Sequence, residues 1–322
     1  MKMVWRWALA VIVIAVLAGA GALFVTRRPI DVAVVPSRAI ATPSVGMPDV
    51  LLSFSILPTA TLTVSEGSMY EGGNWLTSRT LNHSAVLICH PHGFVLFDTG
   101  VGRDIDSQFK EFPLFKRIAL NYRKLQAVAD VIAANNPCPG RQMFIIPSHL
   151  HWDHAGGIED LPQADVWIRS DELRQARKGG ARQGFLPEEI DAANIRWRPF
   201  TFANQAYEQY PQSLDVFGDG SLILVPMTGH TAGSVGLFIT TGGRRYFFTG
   251  DTTWALEGFT RPANKFVAAR AMADLDLNRL EEEIVGVHRL LVREPELIVV
   301  PAHDVAAYPS DALYPNWIGR HE

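Results

Sequence analysis

The ten residues Ser148-His149-Leu150-His151-Trp152-Asp153-His154-Ala155-Gly156-Gly157 constrain this chain more than any other stretch. Four metal-binding side chains fall within six residues, in the order H-x-H-x-D-H. The apolar run Met143-Phe144-Ile145-Ile146-Pro147 precedes them and reads as a buried strand. The motif is therefore a loop leaving a strand end. Alternate loop residues can turn toward one point, so His149 and His151 can grip one ion while Asp153 and His154 face a second position. Imidazole nitrogens and a carboxylate suit zinc or another borderline divalent ion. Gly156 and Gly157 allow tight backbone geometry behind the ligands. A loop of solvated histidines is the bland alternative, and this spacing argues against it.

H-x-H-x-D-H followed by Gly-Gly resembles the signature of the metallo-β-lactamase superfamily of hydrolases. That resemblance implies further single ligands, each on a loop after a strand. The chain offers a residue at every such place: Asp98 in Phe97-Asp98-Thr99-Gly100, His230 in Gly229-His230-Thr231-Ala232-Gly233-Ser234, Asp251 after Gly250, and His303 in Pro301-Ala302-His303-Asp304. The resemblance implies one ion on His149, His151 and His230, and a second on Asp153, His154 and His303. Asp251 would bridge the two, and both ions would be divalent, with zinc expected. It gives Asp98 a supporting role, orienting a ligand histidine through its other nitrogen; a turn-capping aspartate is the plainer reading. The fold it implies is α/β, an αβ/βα sandwich of four layers with two sheets face to face, spanning about residues 50–310.

The amino-terminal 28 residues read differently. Lys2 and Arg6 precede an uncharged run from Trp7 to Val25, and Arg27-Arg28 close it. Roughly 20 apolar residues suffice to span a bilayer as a helix, and Trp5 and Trp7 suit its interface. The expectation is an uncleaved membrane anchor over residues 1–28. The catalytic domain would then lie outside the cytoplasm, periplasmic or extracellular. The competitor is a secretory signal with core Ala8 to Leu17, cut near Ala18-Gly19-Ala20. Residues 29–50, rich in Pro, Ser, Thr and Ala, read as a linker, and 51–322 as the hydrolase domain. A net charge of -4 with both signs scattered indicates no nucleic-acid surface. Cys89 lies in an apolar run and reads as a buried thiol; Cys138 sits in a loop, so one disulfide is possible.

Along the domain, Leu51 to Leu57 and Ala60 to Val64 are strand-like, and Gly67 to Trp75 is a loop. His83 to Ile88 and Gly93 to Phe97 suggest a hairpin whose His90 and His92 sit on a solvated turn. Residues 101–115, with Phe109, Phe112, Leu114 and Phe115, are either a mobile lid or ordinary packing. Leu125, Val128, Ala129 and Ile132 mark a helix that Asn135-Asn136-Pro137 stops. Ala164 to Ile168 is a strand, and Asp171 to Arg177 a helix capped by Ser170. Residues 178–215 resist assignment. Strands follow at Ser221 to Pro226, Val235 to Thr240, Arg245 to Thr249 and Leu297 to Val300. Leu277, Leu280, Ile284, Val287 and Leu291 mark a long helix with Asp274 or Asp276 near its start; His288 on it is solvated or packed.

A metal ion lowers the pKa of bound water toward about 7. The expected chemistry is hydrolysis by a hydroxide shared between two ions, with Asp153 orienting or shuttling the proton. No Ser-His-Asp or Cys-His arrangement competes. The motifs most resemble the N-acyl-homoserine lactonase branch, which implies a lactone or related ester as the small-molecule substrate. Those lactonases typically carry a tyrosine three residues after the bridging aspartate, and this chain has Trp254, so Tyr70 is a candidate substitute donor. Phosphodiester, thioester and β-lactam hydrolysis are the alternatives on the same site. A single-iron oxygenase or a membrane-tethered metal-binding protein would be expected to lack ligands.

Overall fold

Alternation of side chains along the strands builds three hydrophobic layers. In the computed structural model β1 (Ser53–Ser65), β2 (Ser78–His90), β3 (Gly93–Phe97), β4 (Arg123–Lys124), β5 (Met143–Ile146), β6 (Asp165–Arg169) and β7 (Arg196–Phe200) form one mixed sheet in the order β4-β1-β2-β3-β5-β6-β7. A second sheet has the order β12-β11-β10-β9-β8, from β8 (Leu214–Asp215), β9 (Leu222–Pro226), β10 (Val235–Thr241), β11 (Arg244–Phe248) and β12 (Ile298–Val300). Phe54, Ile56, Val86, Ile88, Val95 and Phe97 point from the first sheet into a shared core against Leu222, Leu224, Leu237, Tyr246, Phe248 and Val300 of the second. Their neighbours in sequence point the other way. Ala85, Leu87, Phe94, Leu96 and Ile145 meet a helical layer outside the first sheet, and Ile223, Val225, Phe238, Phe247 and Val299 meet one outside the second. A period of two thus produces the four-layer sandwich.

The helices that frame the site are α1 (Leu114–Ala119), α2 (Val128–Ala134), α3 (Ser170–Gly179), α4 (Val267–Ala273) and α5 (Leu277–Arg293). Leu280, Ile284, Val287 and Leu290 place one buried stripe of α5 on the second sheet, each side chain worth about 1.5–3 kcal/mol of burial. Asp276 caps that helix by accepting the Arg279 backbone N–H at 3.1 Å. Helix α3 begins one residue before its expected start: Ser170 is its first helical residue, Arg169 holds the cap position, and no side chain caps it. The unassigned stretch 178–215 contains a short helix (Pro187–Asp191), β7 and β8.

The structure describes residues 29–39 and 50–319, together with residue 7, residues 11–14 and residue 19. The transmembrane expectation for residues 1–28 lies mainly outside the described residues; among those described, no helix is long and apolar enough to cross a membrane. Part of the stretch expected as linker is packed on the body. The Arg289 guanidinium donates to the carbonyls of Val32, Val35 and Pro36 at 2.8–3.0 Å, and Arg38 pairs with Glu283 at 2.8 Å.

Two expectations are corrected. Cys89 is bonded to Cys138, tying the end of β2 to the loop after α2, so neither is a free thiol. His90 is buried rather than solvated: its ring stacks on Phe217 with centroids 4.0 Å apart, and Nε2 lies 2.8 Å from Asp219 Oδ2. His92 is exposed. A polar side chain at a hairpin end can fold back onto a neighbouring loop, and local sequence does not report that loop.

Glu189, on the short helix beneath the metal-binding motif, is fully buried, and neither carboxylate oxygen has a hydrogen-bond partner among the described residues. Burial, reinforced by Glu159, Asp153 and Glu111, pushes its carboxyl well above the ordinary value of 4.5. A raised folded value means the native state holds its proton more tightly than the unfolded chain. This destabilises the fold increasingly as pH rises from about 4.5 toward the folded value. Glu189→Gln has no such dependence. It is expected to be more stable than the parent by about 1–3 kcal/mol at pH 8, with the difference shrinking toward pH 4.5. Urea unfolding across that range checks it, and a pH-independent difference would refute it.

Candidate metal centre

The candidate ligands all follow strand ends at one edge of the sandwich. Asp98 follows β3, the His149–His154 motif follows β5, His230 follows β9, Asp251 follows β11 and His303 follows β12. Parallel pairing of β3 with β5, and of β11 with β12, brings those carboxyl ends side by side. All seven expected ligands are buried.

The three nitrogens His149 Nε2, His151 Nδ1 and His230 Nε2 lie 2.9–3.1 Å from one another. Burial, with mutual repulsion among neighbouring imidazoles, holds His149 and His151 well below the ordinary histidine value. Neutral rings therefore turn three lone pairs on one point. Beside them, Asp251 Oδ1 lies 2.9 Å from His303 Nε2 and 3.2 Å from His154 Nε2, while its Oδ2 is 3.6 Å from His230 Nε2. Asp153 Oδ2 is 3.4 Å from His303 Nε2. His149–His151–His230, His83–Asp153–His303 and His149–His154–Asp251 are each close enough to hold an ion.

The electrostatics fit divalent cations. Burial would lower the His154 imidazole, but the carboxylates of Asp98, Asp251 and Asp153 outweigh it and hold the ring well above its ordinary value. Burial would raise Asp153, but His154, His83 and His303 outweigh it and hold the carboxyl below its ordinary value. The buried carboxylates favour the charged form of His154 and His303, positive charge that a bound metal ion would supply instead. A donor set of imidazole nitrogens and carboxylate oxygens is what zinc and its neighbours accept.

Outer partners orient the rings. Asp98, at φ 60°, accepts the Ser148 backbone N–H at 2.5 Å and lies 2.8 Å from His154 Nδ1. Aspartate tolerates that left-handed backbone better than most residues. His303 Nδ1 lies 2.7 Å from the Asn82 carbonyl, which keeps the proton there and leaves Nε2 facing the site. Asp274 Oδ1 lies 2.7 Å from His230 Nδ1 and accepts from buried Lys265 Nζ at 2.6 Å. Gly156 is required: a Cβ there would fall 2.7 Å from the Trp152 carbonyl.

Sequence reading missed His83, Asp274 as an orienting group, Lys265 and Glu172. His83 Nδ1 lies 2.8 Å from Asp153 Oδ2. Its only local signal is a histidine at the polar head of an apolar strand. Asp274→Asn removes the charge that holds His230. We expect metal affinity at the three-histidine group to weaken by about 10–100-fold; competition against a fluorescent chelator measures it, and unchanged affinity would exclude the orienting role.

Beside the ligands lies a cavity of about 260 Å³ with mostly apolar walls, including Leu81, Trp254, Phe266 and Met272. The indole Nε1 of Trp254 donates to Asp251 Oδ2 at 3.0 Å. Tyr70, the expected substitute donor, is buried outside the cavity wall, with its hydroxyl accepting from Arg261 at 3.4 Å. Of residues 101–115, Phe109 and Phe112 pack on Trp152, while Leu114 and Phe115 are exposed.

The family model described as metallo-beta-lactamase superfamily matches residues 79–303. A probable metallo-hydrolase of Mycobacterium tuberculosis is 27% identical over 259 residues, covering 72% of this chain and 80% of that protein. The N-acyl homoserine lactonase AttM of Agrobacterium fabrum is 31% identical over 112 residues, 34% of this chain and 40% of its own length. A solved N-acyl homoserine lactone hydrolase, with the product N-hexanoyl-L-homoserine at its catalytic metal centre, superposes with a TM-score of 0.64 at 19% identity. The match covers 83% of this chain and 98% of that one, and it shows the shared fold.

Proposed function

The chain belongs to the metallo-beta-lactamase superfamily, and from that premise we propose that it is a two-metal hydrolase that opens a lactone or a related ester. Metal-dependent hydrolysis is its activity class. The observation that carries the two-metal reading is the placement of Asp251 between the donor groups, within 3.6 Å of His230 on one side and 2.9 Å of His303 on the other. His149, His151 and His230 would hold one ion, Asp153, His154 and His303 the other, with Asp251 shared and zinc the proposed metal. His83 stands next to the second group.

Bound divalent ions supply Lewis acidity and lower the pKa of the water they hold. The protein supplies the rest. Asp153 stays ionised under the influence of its imidazole neighbours, so its carboxylate can accept a proton from the attacking water. Asp98 and Asp274 hold His154 and His230 by their Nδ1 atoms, which keeps each Nε2 aimed inward. Apolar walls limit competing water and suit an ester or lactone with an alkyl substituent. The Trp254 N–H is spent on Asp251, so no aromatic hydroxyl takes the place filled by tyrosine in the lactonases.

The N-terminal run is proposed to anchor the chain in a membrane with this domain outside the cytoplasm. The Cys89–Cys138 disulfide supports an oxidising compartment. Proton release by the zinc-loaded full chain on acyl-homoserine and simple lactones tests the substrate, with His151→Ala as control. Ring opening lost in that variant is expected. No turnover of any lactone with two metals demonstrably bound would sink the lactone reading, and thioesters, phosphodiesters and β-lactams would be assayed next.

A further inference from the structure

The mouth of the cavity is rimmed by apolar side chains that the fold leaves in solvent. Leu114, Phe115 and Ile118 of α1 are 65%, 58% and 70% exposed, and Leu76 on the loop between β1 and β2 is 96% exposed. Helix α1 also turns Lys116 and Ala119 toward the cavity, and Trp75, beside Leu76, lines it too. Large apolar side chains are also exposed singly elsewhere, as at Leu51 and Val292, but α1 exposes three within five residues on a segment that lines the cavity, and such a concentration marks a contact surface.

Two observations say what covers it. The apolar run Trp7 to Val25 enters the described body at residues 29–30, where the Ile30 backbone N–H donates to the Pro262 carbonyl at 2.8 Å. Pro262 is four residues from Phe266, whose ring meets Trp75 of the rim edge-on at 4.8 Å. Arg289, holding the carbonyls of Val32, Val35 and Pro36, fixes that entry point. The described chain thus begins against the segment that leads into the Phe266 wall of the cavity. Charge agrees: among residues 110–124, which include α1, Lys110, Arg117, Arg123 and Lys124 stand unburied against the single acidic residue Glu111, in a chain whose net charge is -4. Basic side chains beside exposed leucine and phenylalanine match a headgroup layer over acyl chains.

We propose that this rim is a membrane-contact surface: Leu76, Leu114, Phe115 and Ile118 sit at the headgroup–acyl boundary of the bilayer that holds the N-terminal run, and the cavity opens onto the lipid. The proposal rests on the anchor reading and not on any substrate.

Because both native cysteines are bonded to each other, Phe115→Cys offers a single thiol for a fluorophore, and Arg198→Cys on β7 offers an exposed control. The full chain is reconstituted into vesicles of phosphatidylcholine and phosphatidylglycerol. Nitroxide-bearing lipid is expected to cut emission from the label at 115 by at least half and to leave the label at 198 unchanged, with aqueous iodide acting in the opposite sense. Iodide quenching both labels equally would overturn the proposal. Protection of 115 from both quenchers would also overturn it and assign the rim to a second copy of the chain. Ile118→Cys repeats the reading should Phe115→Cys fold poorly.

Discussion

Asp251→Asn is expected to lower kcat/KM by on the order of 10³-fold or more, about 4 kcal/mol of transition-state stabilisation. The substitution keeps the shape of the side chain and removes its charge. Asp251 is buried, and burial opposes its ionisation, yet His303 and His154 hold the carboxyl well below its ordinary value. The two oxygens share their neighbours: Oδ1 lies 3.2 Å from His154 Nε2 and 2.9 Å from His303 Nε2, while Oδ2 lies 3.1 Å from His303 Nε2 and 3.6 Å from His230 Nε2 and accepts the Trp254 N–H. An amide offers one acceptor where two are needed, and its NH₂ group would point a donor at imidazole nitrogens or at Trp254. Metal content should fall from two ions toward one, read by elemental analysis of the dialysed protein. Retention of two ions with activity within tenfold of the parent would mean that Asp251 is not the shared ligand.

Glu172→Ala should cost about 3–5 kcal/mol of stability. This glutamate on α3 is fully buried and braces both loops of the three-histidine group. Its Oε1 accepts the Leu150 N–H at 2.8 Å, between His149 and His151, and its Oε2 accepts the Thr231 hydroxyl at 2.6 Å and the Gly233 N–H at 2.9 Å, just after His230. Burial raises its carboxyl above the ordinary value, against the pull of those three donors. Alanine leaves the Leu150 and Gly233 N–H groups without an acceptor in a dry interior, at about 1–3 kcal/mol each before relaxation, while the Thr231 hydroxyl keeps Ser234 Oγ as a partner. Urea unfolding of the metal-free protein isolates the effect from ligation. A loss under about 1 kcal/mol there would show that the loops hold their shape without the brace. Glu172→Gln, which keeps one acceptor, should fall between the two.

The ligand positions were legible because they are local. H-x-H-x-D-H compresses four side chains into one loop, and Asp98, His230, Asp251 and His303 each stand at the first turn after an apolar run. A strand end is easy to see in sequence. The sandwich was legible through the period-two pattern of β2, β3, β9 and β10, although β2 extends to Ser78–His90 where the apolar signal marks only His83 to Ile88. The supports were hidden for the complementary reason. Glu172 meets Thr231 across 59 residues, Asp274 meets His230 across 44, and His83 meets Asp153 from another strand. These partners share no spacing, and a buried acid on an amphipathic helix looks in sequence like any solvated one. The Cys89–Cys138 pairing depended likewise on where the loop after α2 comes to rest.

The division of labour around the cavity has an evolutionary consequence. Every candidate ligand hangs on a strand that the sandwich core holds in register, whereas α1 and the loop carrying Trp75 and Leu76 contribute walls and no ligands. Those segments can lengthen, shorten or change side chains while the ligand atoms stay where the sheets put them. Selection can thus retune what enters the chamber independently of what happens inside it, and a new specificity need not be reached through an inactive intermediate.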